Sequence, residues 1–385
     1  MIWIFQSSSA GMSVDLKKPI DLDSFDEIRK IDKSDMISFC MDAPRHYGKA
    51  AQVATRFKVD FPKPENIIIA GMGGSAIGGE LFKDWAQDTR RVPIEVCRDY
   101  HLPAYANKST LVFCTSYSGE TEETLSVFLE ALKRKCKIVS ISSGGALREF
   151  AEKLNVPHLL VPSGMAPRAT LPYLFLPLPA ILEKIDFASG VNAELGETVR
   201  ILKQVSAENS PENQTKNNIA KTLATKINGT IPMVYGFNFY RAVAQRMKTQ
   251  INENSKNLAK WEYFPELNHN EIVAWEEAEE FASHVSVVFV RDPDEPEEIK
   301  NRIEFTKETI NKTSAKTFEV WSKGKSKIAR MSSIICIGDF ASVYLAVLRG
   351  VDPTPVKTIS ILKERLKQTG VKEKTVRELR KLSKG

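Results

Sequence analysis

The 385-residue sequence has little with which to hold a metal or close a disulfide. Its five cysteines, Cys40, Cys97, Cys114, Cys136 and Cys336, include no C-x-x-C pair. Its five histidines, His46, His101, His158, His269 and His284, are never spaced i, i+3 or i, i+4, and no H-E-x-x-H occurs. Zinc-type signatures are therefore missing, and neither a metal nor any other cofactor is expected. Cys97, Cys114, Cys136 and Cys336 lie in or beside apolar runs and read as reduced thiols. That fits a reducing, cytoplasmic setting. Long hydrophobic runs are also scarce: no stretch reads as long enough to span a membrane. The start, Met1-Ile2-Trp3-Ile4-Phe5-Gln6-Ser7, lacks the basic residues and the length of a secretion signal. Met12 is a second candidate initiator, which would leave residues 1–11 as an extension outside the fold. Charge of one sign is scarce too: the formal net charge is +6, spread along the chain, so no nucleic-acid partner is implied. Lys372, Lys374, Arg377, Arg380, Lys381 and Lys384 do cluster, but Glu373 and Glu378 interrupt them, and the tail reads as a solvated helix end.

What the chain does have is alternation. After a helical lead-in over residues 24–57, strands at 66–71, 93–97, 110–114, 137–141 and 158–161 alternate with helices at 75–87, 119–134 and 145–154. Alternation of this kind predicts an α/β fold with a parallel sheet covered by helices on both faces. Residues 169–185 are apolar almost throughout and read as a buried helix despite their prolines; residues 207–218 read as a linker or the start of a connecting helix. The pattern then restarts, with strands at 231–236, 285–290 and 317–321 and helices at 238–253, 295–312, 327–349 and 355–368. We expect an extension and lead-in (1–44), a first lobe (45–195) and a second lobe (196–385) of similar architecture. Two such lobes place a ligand at the carboxyl ends of their strands.

Two strand-to-helix turns carry the chemistry. Asn66-Ile67-Ile68-Ile69-Ala70 opens into Gly71-Met72-Gly73-Gly74-Ser75-Ala76-Ile77-Gly78-Gly79, and Leu111-Val112-Phe113-Cys114 opens into Ser116-Tyr117-Ser118-Gly119-Glu120-Thr121-Glu122-Glu123-Thr124. Backbone N–H groups at Gly73 and Gly74, hydroxyls at Ser75, Ser116, Ser118, Thr121 and Thr124, and two helix N-termini suit a phosphate monoester. The pair together points to a ligand the size of a phosphosugar. The same serines and threonines also make a good capping pattern for the second helix, and both readings are compatible. An alternative starts from Gly71-x-Gly73 and Ala76 as a dinucleotide fingerprint with Glu95 as the ribose acid, which would make the protein an NAD-dependent dehydrogenase. It leaves the second turn unexplained.

The strings GMGGSAIGGE and SYSGETEETL, with Ala166-Pro167-Arg168-Ala169-Thr170, Asn252-Glu253-Asn254-Ser255-Lys256, Glu266-Leu267-Asn268-His269-Asn270-Glu271 and Leu348-Arg349-Gly350-Val351-Asp352-Pro353, resemble the bifunctional phosphoglucose/phosphomannose isomerase family of the sugar-isomerase (SIS) fold. The resemblance covers roughly residues 45 to 368. It implies aldose–ketose isomerisation between glucose 6-phosphate or mannose 6-phosphate and fructose 6-phosphate, through a cis-enediolate and without a metal. By that resemblance Glu253 is the base, with Glu266 and Glu271 as fallbacks. His269 opens the sugar ring, reaching the site from the other subunit of a homodimer, and Arg168 stabilises the enediolate. A lysine assists; Lys363 is preferred over Lys357 because Val356, Ile359 and Leu362 set an apolar stripe beside it. A non-catalytic SIS-fold regulator would keep both turns and need no Glu253, His269 or lysine. It would usually bring a DNA-binding domain, and no basic helix-turn-helix is found. An aminotransferase would need an N-terminal cysteine glutaminase, which the sequence lacks.

Overall fold

The computed structural model describes residues 20–88 and 92–384; the proposed extension at 1–11 and the alternative start at Met12 lie outside these residues. Strands Asn66–Ala70 (β1), Ile94–Cys97 (β2), Thr110–Thr115 (β3), Lys137–Ser142 (β4) and His158–Leu160 (β5) form a parallel sheet in the order β2-β1-β3-β4-β5. Helices cover both faces, so β1 and β3 are apolar along nearly their whole length rather than alternating. Strands Ile231–Phe237 (β6), Lys260–Phe264 (β7), Val285–Arg291 (β8) and Lys316–Trp321 (β9) form a second parallel sheet in the order β7-β6-β8-β9. The second order repeats the first four strands of the first, so the chain is α/β with two lobes built on one plan.

Strand order reverses direction between β1 and β3, whose ends are in register at Ala70 and Cys114. The turns that follow them therefore emerge side by side at the topological switch point, where open α/β sheets bind ligands. Helix Gly73–Ala86 follows β1, and helix Glu122–Lys133 follows β3.

Four features differ from the sequence reading. Strand β7, Lys-Trp-Glu-Tyr-Phe, is not foreseen, because it mixes charged and aromatic residues and pairs only with β6 at the sheet edge. The apolar run at 169–185 is buried but not one helix: it divides into Leu171–Phe175 and Pro177–Lys184, since proline carries no N–H to continue a helical ladder. The basic tail is not merely solvated. It forms helix Val371–Leu382, whose buried Leu379 packs among Leu125, Phe128 and Phe150 of the first lobe. Helix Lys327–Leu348 is, by length and composition, apolar enough to cross a membrane, against the expectation of no such stretch. It is a core helix instead, with 89% of its most apolar window buried.

The lobes are joined by charge as well as packing. Arg241, the first residue of helix Arg241–Ser255, donates from Nε to Asp84 Oδ1 (3.0 Å) and from Nη2 to Glu80 Oε2 (2.6 Å), both on helix 73–86. Asp84 Oδ2 also accepts from the Ala242 N–H at 2.7 Å. Burial pushes the Asp84 carboxyl up to about 6, even against Arg241.

Candidate active site

The two turns are sewn to one another before any ligand enters. Thr115 Oγ1 donates to the Ala70 carbonyl at 2.9 Å, and the Tyr117 N–H donates to Ser75 Oγ at 3.3 Å. Ser116 Oγ and Thr121 Oγ1 lie 2.8 Å apart, and Ser116 Oγ accepts from the Gly119 N–H at 3.1 Å. One hydroxyl proton of that pair is consumed between them, and the other is left to donate outward. Ser118 is exposed and accepts from the Glu120 N–H. Thr124 is buried, with Oγ1 3.5 Å from the Thr115 carbonyl. Met72, the N-cap of helix 73–86, offers no side-chain acceptor, so the first N–H groups, at Gly73 and Gly74, have no side-chain cap. Gly119 has φ +68 and a Cβ there would overlap the Gly144 carbonyl, so only glycine fits.

Gly74 connects the first turn to the next component. A Cβ at this position would stand 3.0 Å from the Pro167 carbonyl oxygen, so the glycine permits the Pro167–Arg168 backbone to lie against the turn. Arg168, in a short 3₁₀ turn (Pro167–Ala169), is only 3% exposed. Nε donates to Asn254 Oδ1 at 2.5 Å, and Nη2 donates to the carbonyls of Pro353 (2.6 Å) and Thr354 (2.9 Å). Nη1 faces Glu253, with Oε2 3.8 Å away. Two edges of the guanidinium are thus fastened, and the third points at a partly exposed carboxylate. Burial pulls the guanidinium below its ordinary value, while Glu253 draws it back up.

Glu253 sits in the last turn of helix 241–255. Lys256 follows in a left-handed conformation, φ +52, and donates from Nζ to the carbonyls of Glu253, Asn254, Asp352 and Pro353 at 2.9–3.2 Å. Burial, with Arg168 alongside, lowers its pKa from the ordinary lysine value. The Pro353 carbonyl accepts from both Arg168 and Lys256. Sequence reasoning places Lys256 within Asn-Glu-Asn-Ser-Lys without giving it a role, and it misses Arg246, whose fully buried side chain donates to the Arg168 carbonyl at 2.8 Å. Nothing in an Ala-Gln-Arg-Met helix pattern marks that residue; only the fold reveals it.

The remaining expected residues lie apart. His269 is exposed in a 3₁₀ turn (Glu266–His269) beyond the carboxyl end of β7, whereas Glu253 precedes its amino end. The five residues of β7 hold them roughly 16 Å apart along the strand direction. The fallback acids are on the His269 side: Glu266 accepts from Asn270 Nδ2 at 2.8 Å, and Glu271, its pKa raised by burial, accepts from the Tyr235 hydroxyl. Lys363 and Lys357 are exposed on helix Lys357–Lys367, which has no buried residue. The stripe meant to place Lys363 is itself open, with Ile359 42% and Leu362 54% exposed. The second lobe therefore does not offer the carboxyl ends of its strands to this cluster; it offers the end of helix 241–255. Glu95, the ribose acid of the dinucleotide alternative, accepts from the Tyr105 hydroxyl at 2.6 Å.

Paired hydroxyl and glycine turns at a switch point, beside a buried arginine that faces a partly exposed glutamate, on two parallel lobes, define a protein of the SIS phosphosugar-isomerase class. A crystal structure of a hypothetical protein from Thermus thermophilus superposes with a TM-score of 0.70 at 15% identity, covering 89% of this chain and 94% of the other. Residues 216–366 match the bacterial phospho-glucose isomerase C-terminal SIS domain. The bifunctional phosphoglucose/phosphomannose isomerase of Caldicellulosiruptor bescii is 39% identical over 86% of this chain and 98% of its own length. The enzyme of the same name from Thermoplasma acidophilum is 37% identical over 78% and 89%, respectively. The chain belongs to the bifunctional phosphoglucose/phosphomannose isomerase family.

Proposed function

We propose that this chain interconverts glucose 6-phosphate and mannose 6-phosphate with fructose 6-phosphate, as a cytoplasmic homodimer and without a metal. The observation that carries the reading is the buried Arg168 guanidinium aimed at Glu253 and packed, through Gly74, against the first anion-binding turn. The phosphate is held by Ser75, Ser116, Ser118, Thr121 and Thr124, with the Gly73 and Gly74 N–H groups turned to the sugar. Glu253 takes the proton from C2 of the open-chain aldose and returns it at C1, passing through a cis-enediolate whose oxygens develop negative charge. Arg168 Nη1, the free edge of a guanidinium already fixed by its neighbours, meets that charge with little reorganisation. The enediolate has no stereocentre at C2, so one intermediate serves both aldoses. His269 opens the ring, and its separation from Glu253 along β7 supports its delivery from the partner subunit. Lys363 assists ring opening and binding, and the exposed apolar face of its helix is consistent with coverage by the partner subunit.

A coupled assay of purified protein in the presence of EDTA tests this: both aldose phosphates are expected to turn over. No turnover alongside tight sugar-phosphate binding would instead favour a regulator. The hydroxyl turn makes a separate prediction. Phosphate contacts are much alike in ground and transition states, so Ser116→Ala with Ser118→Ala should chiefly raise KM. Each lost hydrogen bond to a charged group is worth about 1.5–3 kcal/mol. Steady-state kinetics showing an unchanged KM would reduce these serines to helix caps.

A further inference from the structure

Behind Arg168 lies a set of buried polar contacts that the reaction described above does not use. Arg246, Gln250 and Asn254 are spaced i, i+4, i+8 along one face of helix 241–255, the helix that ends in Glu253. They meet Asp339 and Ser342, spaced i, i+3 on the core helix 327–348. Arg246 Nη2 lies 3.2 Å from both carboxylate oxygens of Asp339 and donates to the Arg168 carbonyl. Gln250 also faces Asp339 and favours its charged form. Asn254 Nδ2 donates to Ser342 Oγ at 2.8 Å, while its Oδ1 accepts from Arg168 Nε. Arg168 is consequently gripped twice from the same helix, by its backbone carbonyl and by its side chain.

We propose that Asp339, Arg246, Asn254 and Ser342 form a buried positioning frame that sets Arg168 against Glu253. The inference rests on the catalytic reading of those two residues. Its electrostatic logic is that two buried guanidinium groups stand close together and repel one another. Asp339 offsets the charge of Arg246, so that Arg246 acts on Arg168 as a hydrogen-bond donor rather than as a competing cation. A loss of the frame lets Arg168 drift by a fraction of an ångström, which matters for chemistry more than for ground-state binding.

Removing either charge alone leaves the other buried without a partner and endangers folding, so the principal variant removes both: Arg246→Gln with Asp339→Asn. The expected result is a folded protein with kcat lowered about 10- to 100-fold and KM changed by less than about threefold. A fall in kcat with KM held is the split that a purely structural loss of binding or folding would not produce. Ser342→Ala, which removes one hydroxyl, should lower kcat roughly fivefold, the equivalent of one neutral hydrogen bond. Wild-type kcat in the folded double variant overturns the frame. Should the double variant not fold, wild-type kcat in Ser342→Ala does so. Arg168→Lys run in parallel separates the two ideas: an impaired Arg168→Lys beside unimpaired frame variants defeats the frame alone, and an unimpaired Arg168→Lys defeats the role given to Arg168 itself.

Discussion

Glu253→Gln is expected to lower kcat by about 10²–10⁴-fold while leaving sugar-phosphate binding in place. The substitution retains size and hydrogen-bonding capacity at the end of helix 241–255 and removes only the base. Arg168 loses a charged neighbour at 3.8 Å but keeps its bonds to Asn254, Pro353 and Thr354, so the fold should survive. Stopped turnover with retained binding, measured by calorimetry or by protection against thermal unfolding, separates catalysis from recognition. Mixing this variant with His269→Ala extends the test to the dimer. If His269 crosses between subunits, a mixed dimer contains one doubly mutated site and one intact site, and activity returns to at most about half of wild type per dimer. Demonstrated subunit exchange without recovery means each chain builds its own site. Full activity of Glu253→Gln alone would transfer the role to Glu266 or Glu271.

Arg168→Lys should reduce kcat by about 10²–10³-fold, the usual scale for losing one preorganised donor to a developing oxyanion. The side chains are not equivalent here. Arg168 divides its donors three ways, to an amide oxygen, to two carbonyls and toward Glu253, and only a planar fork serves all three at once. A lysine ammonium retains the charge but cannot hold Asn254 and the Pro353–Thr354 carbonyls while also facing the substrate. Kinetics and a melting curve on the same preparation check the outcome; a wild-type kcat would confine Arg168 to tethering the segment at 353–354.

The sequence makes the first lobe legible because β1 and β3 are nearly unbroken apolar runs and the turns after them carry glycine and hydroxyl residues. Glu253 and Arg168 come from motif resemblance, and the fold brings those two together. Legibility fails where the signal is relational. β7 shows neither clean alternation nor an apolar run because it is an edge strand. Leu379 looks like one apolar residue in a basic tail until its helix is seen packed against Phe128 and Phe150. Arg246 and Asp339 lie 93 residues apart in sequence, and no local pattern announces an ion pair between a buried arginine and a partly exposed aspartate that is made only when two helices cross.

The Asp84–Arg241 contact sets the two lobes of this doubled architecture apart at corresponding helix starts. In the first lobe, Met72, the N-cap of helix 73–86, makes no side-chain cap hydrogen bond. At the equivalent point of the second lobe, the Asp84 carboxylate already accepts from the Ala242 N–H, and Arg241 folds over it. The second lobe thus carries, at that helix start, a carboxylate lent by its twin. That tie fastens the start of helix 241–255, whose last turn carries Glu253, to the helix that follows the first glycine-rich turn, so the fold itself holds the two helices to one another.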